Sequence, residues 1–182
     1  MFVNLWKELA MSPYTYFADA VGKIAAPADA IFDFLDDQSN LSSHMSKSSW
    51  MTLGTTMEIY MDDKRTRSIG SKFGFTGRIL GLPLSVDEVV TTREPPLRKS
   101  WQTTSEPKLW VIGQYKMGLE LTPQADGSQL RVFIEYARPR AGIPSVLGLL
   151  FGKVYARWCT GQMVTDAQKH FAVLGVPVAS HG

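Results

Sequence analysis

Two hydrophobic periodicities divide this chain. From Leu53 to Ala137 apolar and polar positions alternate with period two, as half-buried strands require. Met57, Ile59 and Met61 alternate with Thr56, Glu58 and Tyr60, and Phe73, Phe75, Gly77 and Ile79 with Lys72, Gly74, Thr76 and Arg78. Gly81-Leu82-Pro83 marks a tight reversal into Leu84–Arg93, and Glu94-Pro95-Pro96 ends that strand, because proline cannot donate to a ladder. Leu97, Lys99, Trp101 and Thr103 share one face of the next strand. A further strand is predicted over Leu109–Thr122, with Leu109, Val111, Gly113, Tyr115, Met117, Leu119 and Leu121 on one face. Asp126-Gly127 signals a hairpin into Leu130, Val132, Ile134 and Tyr136.

The period then changes. Over Ile143–Leu174 apolar residues recur at helical spacing: Leu147, Leu150, Phe151, Val154, Tyr155, Trp158, Cys159, Met163, Ala167, Phe171 and Leu174. Pro144 sits in the first turn, where a missing N–H costs little, and Gly175 supplies a stop. Such a helix is roughly 45 Å long and needs a broad surface to lie on.

Before the alternating region, Tyr14–Ile24 reads as a strand. Ala26-Pro27-Ala28-Asp29 introduces a short helix with Ile31, Phe32 and Leu35 apolar. Asp36–Asn40 is turn chemistry, and a second short helix or loop spans Leu41–Trp50. Residues 1–13 form an N-terminal extension with Phe2, Leu5, Trp6 and Leu9 at amphipathic spacing. One strand, two short helices, about six antiparallel strands and one long terminal helix imply an α+β fold. A curved antiparallel sheet of about seven strands wrapped around the helix, the helix-grip arrangement, satisfies both periodicities.

Composition narrows the function classes. The 182 residues fit one domain, 1–182, without repeats or linker. Net charge is only +2, and the one basic run, Lys64–Arg67 after Asp62-Asp63, reads as a solvated hairpin tip, so nucleic acid is not expected as a partner. No stretch approaches the ~20 apolar residues of a membrane span, so stable insertion is not expected. The single cysteine, Cys159, excludes an intramolecular disulfide. With no leader-like N-terminus, the expected location is the cytoplasm.

Familiar chemistry is missing. There is no GxSxG or GxGxxG. Gly148–Val154 only faintly resembles a phosphate loop and falls inside the long helix. His44, His170 and His181 lack metal-ligand spacing, so neither a metal nor a cofactor is expected.

Three segments carry a resemblance: IAAPADAIFDFLDD, GRILGLPLSVDEVVTTREPPLRKSWQT and YARPRAGIPSVLGLLFGKVYARWCTGQM. With the element order, they resemble the START-like superfamily, also described as Bet v 1-like, SRPBCC, or polyketide cyclase/dehydrase and lipid transport proteins. The likeness runs over roughly Thr15–Phe171. It implies a mostly apolar cavity between the sheet and the terminal helix. Members bind lipids, sterols, hormones or polyketides, and some cyclise or dehydrate them. The resemblance supplies no shared catalytic motif.

On that reading the inward set is the candidate ligand surface: Met57, Ile59, Phe73, Phe75, Trp101, Val111, Tyr115, Met117, Val132, Ile134, Tyr136, Phe151, Tyr155 and Trp158. Eight methionines and 11% aromatics suit an adaptable apolar pocket as well as a filled core. Glu88 shares a face with Val86 and Val90; facing inward, its pKa rises by desolvation and it becomes an acid/base or a ligand anchor. The opposite register, with Asp87, Val89 and Thr91 inward, stays open. Tyr115 and His44 are the other acid/base candidates.

Three functions follow in order: binding a hydrophobic or amphipathic small molecule, which a filled interior would remove; a cyclase, dehydratase or isomerase, which needs two polar groups converging on one point; and a protein- or membrane-docking module, which needs an exposed apolar patch. The oligomeric state and the ligand's identity are not legible.

Overall fold

The computed structural model describes residues 14–41, 56–79 and 82–174. Its elements are β1 (Tyr16–Ile24), α1 (Ala28–Asp36), α2 (Gln38–Leu41), β2 (Thr56–Met61), β3 (Lys72–Ile79), β4 (Leu82–Glu94), β5 (Arg98–Thr103), β6 (Tyr115–Gln124), β7 (Gly127–Tyr136) and α3 (Gly142–Leu174). The seven strands form one antiparallel sheet in the order β1-β7-β6-β5-β4-β3-β2, curved around α3. This is the helix-grip fold.

Each element follows its local chemistry. Pro27 caps α1 from outside, its carbonyl accepting the Ile31 N–H at 3.2 Å, and Ile31, Phe32 and Leu35 are buried beneath it. Gly127 takes φ 136° in the β6–β7 turn, where its missing Cβ also clears the Ile24 carbonyl. α3 buries Ala156, Cys159, Thr160, Met163, Val164, Ala167 and Phe171, a face of three- and four-residue steps packed on β1 and β7.

A buried ionic knot pins α1 to the sheet. Asp36 receives a forked bond from Arg93, 2.8 Å to Nη2, and Lys99 Nζ lies 2.9 Å from its other oxygen. Lys99 also donates to the Asp36 carbonyl at 2.8 Å and to Thr66 Oγ1 at 3.2 Å. Burial pushes the Asp36 pKa up, but the hydrogen bonds from Arg93 and Lys99 outweigh it and the pKa is lowered. Burial likewise lowers that of Lys99, against the pull of Asp36.

One expectation needs correction. Residues 109–114 are not strand; β6 begins at Tyr115. Lys108 forms an isolated bridge with Ser85, and Gly113 donates to the Ala137 carbonyl at 2.9 Å. Between them the chain turns beneath the sheet edge and lays the Val111 carbonyl against Gly148 and Gly152 of α3. The turn ends the alternation, so Ile112, not Val111, is the fully buried residue. The basic run is the solvated hairpin tip expected, with Lys64, Arg65 and Arg67 exposed, but its Thr66 turns inward. Thr66 is fully buried, donating its N–H to Ser71 Oγ and its hydroxyl to the Asp36 carbonyl. The short helix α2 stands in the segment read as turn chemistry, Asp36–Asn40; past Leu41 the second short helix or loop expected over Leu41–Trp50, with His44, lies outside the described residues, as do residues 1–13.

Candidate functional site

β4 delivers the central group. Leu84, Val86, Glu88 and Val90 are buried while Asp87 is exposed, so of the two open registers the structure has Glu88 inward. Glu88 is 2% exposed and sits between Phe73 of β3 and Thr103 of β5. Tyr115, at the start of β6, donates its hydroxyl to Glu88 Oε1 at 2.8 Å. Glu88 Oε2 is buried and makes no hydrogen bond of normal geometry among the described residues, although the Trp101 side chain lies near enough to the carboxyl to favour its ionised form.

A carboxylate in that setting is costly, so desolvation drives the Glu88 pKa up to about 8, despite the polar hydrogens of Tyr115 and Trp101 pulling the other way. At neutral pH the side chain is a neutral acid with one oxygen committed to Tyr115. Burial, then the nearby Glu88 charge, raises the Tyr115 pKa well above normal and pushes the Cys159 thiol up to about 12. Cys159 is therefore a protonated thiol at neutral pH, with no thiolate for nucleophilic chemistry.

Glu88 faces a void between the sheet and α3. The sheet contributes Phe75, Val86, Trp101, Met117 and Ile134, the 109–113 turn Leu109 and Ile112, α3 Tyr155, Cys159 and Met163, and α2 Gln38. The space open to the centre of a water molecule is about 40 Å³, and all non-atom space there, open side included, is about 520 Å³. A water needs roughly 10–15 Å³ by the first measure, so the void as it stands holds two or three waters or one small polar group. Anything larger must displace wall side chains.

Of the expected ligand surface, Phe75, Trp101, Tyr115, Met117, Ile134 and Tyr155 line this void. Phe73, Val132 and Tyr136 are buried in the core beside it. Ile59, Val111 and Trp158 are half-buried packing residues. Phe151 points outward, 51% exposed, because the face of α3 toward the sheet at that level is Gly148 and Gly152, which let the 109–113 turn approach. The side chain of Met57 lies outside the described set. Cys159 and Met163 show in the sequence as helical apolar positions, with nothing there to tell cavity wall from core. Gln38, read as turn chemistry, gave no signal.

No family model and no curated protein sequence matches this chain. Solved structures do. TTHA0849 from Thermus thermophilus aligns with TM-score 0.63 at 12% identity, covering 88% of this chain and 100% of that one. Ara h 8.0201 aligns with TM-score 0.58 at 9% identity over 87% and 98%. The di-domain ARO/CYC StfQ from the steffimycin biosynthetic pathway aligns with TM-score 0.64 at 14% identity, covering 93% of this chain and 56% of its own. Such identities speak for the fold alone, and they agree on it: this chain has the helix-grip fold.

Proposed function

We propose that this chain binds a hydrophobic or amphipathic small molecule between the sheet and α3, with a polar group of the ligand on Glu88. The observation that carries this reading is the Glu88 carboxyl: a buried acid with one oxygen unbonded, facing a void whose other walls are largely apolar. Leaving such a group unsatisfied costs on the order of 1–3 kcal/mol, which a ligand carbonyl or hydroxyl would recover by accepting its proton. Met117 and Met163, unbranched and adaptable, are the wall residues best suited to give way to the apolar part.

The test is native mass spectrometry of the freshly purified chain, followed by organic extraction. A released apolar or amphipathic molecule of defined mass, retained at least ten-fold less by Glu88→Leu, which leaves no donor at that point, supports the reading. A clean apo mass, with no shift from a panel of apolar probes, overturns it.

A second reading has its own observation. Glu88 and Tyr115 converge at 2.8 Å, so two polar groups do meet at one point of the cavity. A neutral carboxyl there can protonate a departing hydroxyl or an enolising carbonyl and take a proton back, as a cyclase or dehydratase of polyketide-like substrates requires. It predicts that Glu88→Gln keeps the extracted molecule within a few-fold of wild-type affinity but stops its conversion. An extracted molecule that neither the wild type nor Glu88→Gln converts favours pure binding.

A further inference from the structure

We infer that the outer face of the first four turns of α3 docks on an anionic lipid surface. A helix that packs on a sheet should be polar on its far side. Here Ile143, Val146, Leu149, Leu150, Phe151 and Val154 are all 51–70% exposed. The face toward the protein at this level is already filled, by Gly148 and Gly152 against the Val111 carbonyl and by Ala156 and Cys159 beneath. The exposed set is therefore an additional apolar surface, and from Ile143 to Val154 it runs about 16 Å. Contiguous exposed apolar patches of this kind mark contact sites.

Charge decides among occupants. Between Tyr136 and Asp166 the chain has four cations, Arg138, Arg140, Lys153 and Arg157, and no acid. Lys153 and Arg157, both exposed and one helical turn apart, stand on the same outer face as the apolar side chains. Arg138 lies over the Tyr16 ring, and Arg140 is 3.6 Å from the exposed Glu106, the one acid paired to this cluster among the described residues. A second copy of the chain would set these cations against their equivalents. Residues 1–13, whose only side-chain charges are Lys7 and Glu8, bring no net negative charge. A bilayer with anionic headgroups meets both requirements, taking the apolar side chains into the acyl boundary and the cations at the phosphates. No helix among the described residues is long and apolar enough to cross a membrane, so this contact lies on the surface.

The experiment is flotation of the full chain with vesicles of phosphatidylcholine, alone or with about one-third phosphatidylglycerol. The expected result is binding to the anionic vesicles that weakens with added salt, and little binding to the neutral ones. Lys153→Glu with Arg157→Glu should reduce it at least about five-fold for each cation, and Leu150→Glu with Val154→Glu by about ten-fold or more. All four side chains are exposed, so unchanged circular dichroism and melting would show the variants folded. The proposal is overturned if folded wild-type fails to float with anionic vesicles, or if both double variants float as it does. It is equally overturned if deleting residues 1–13 alone abolishes flotation, or if Leu150→Glu instead dissolves a concentration-dependent dimer that ignores vesicles.

Discussion

Glu88 should govern how the stability of this protein responds to pH. In the fold it ionises near pH 8, against 4.5 for an ordinary glutamate. Below pH 4.5 folded and unfolded chains both hold the proton, and burial carries no ionic penalty. Between 4.5 and 8 the unfolded chain loses it while the folded one does not, so stability falls by about 1.4 kcal/mol per pH unit and levels off above 8. By pH 7 the loss reaches about 3 kcal/mol. Glu88→Gln should flatten this slope in urea midpoints measured from pH 5 to 8; parallel curves for the two proteins would contradict a neutral buried acid. Asp36 acts with opposite sign. Its lowered pKa gives stability that is present above 3.8 and lost as pH falls through the folded value. Asp36→Asn, which strands the buried Lys99, should cost about 3–5 kcal/mol in urea unfolding. Sequence placed both Glu88 and Lys99 on their strands' apolar faces, because alternation is local. It could not find Asp36 as partner to Lys99, 63 residues away, nor choose the β4 register, because neither is a property of a window.

Among the elements, α3 supplies an internal test of whether packing or propensity decides a glycine. A Cβ at Gly152 would come 2.9 Å from the Val111 carbonyl oxygen, a backbone atom that cannot swing aside, whereas one at Gly161 meets nothing within 4 Å. Alanine gains about 1 kcal/mol over glycine in a helix interior, and overpacking costs about 1–3 kcal/mol. Gly161→Ala should therefore raise stability by about 1 kcal/mol and Gly152→Ala should lower it, by urea unfolding; two gains would show that the 109–113 turn yields easily. The same turn explains where element reading failed. Leu109–Gly113 alternates like a strand, but Pro107 removes a ladder donor and Gly113 admits the Arg138 carbonyl, so the segment leaves the sheet to pack under α3. The strong, capped patterns held: α3 runs from Gly142 to Leu174 and β7 starts at Gly127 of the Asp-Gly turn.

At the scale of the whole molecule, two periodicities in one order sufficed for the sheet-around-helix architecture, because few layer arrangements bury both a strand face and a long helix. They could not give the size of the interior. A void is the small difference between the space the backbone encloses and the volume the side chains fill, and one rotamer of Met163 or Trp101 changes it. Here that difference is about 40 Å³. Met163→Ala enlarges the same void from the helix side, and it should cost about 2–5 kcal/mol if the walls stay in place. Benzene at ten times its Kd should then return about 1.4 kcal/mol to the variant and much less to the wild type, read as a shift in urea midpoint. A smaller loss with no benzene response would mean that Met117 and Leu109 close over the gap. Those walls would then be mobile enough to admit a ligand only by rearranging around it, and the rigid cavity would be the wrong picture of the binding state.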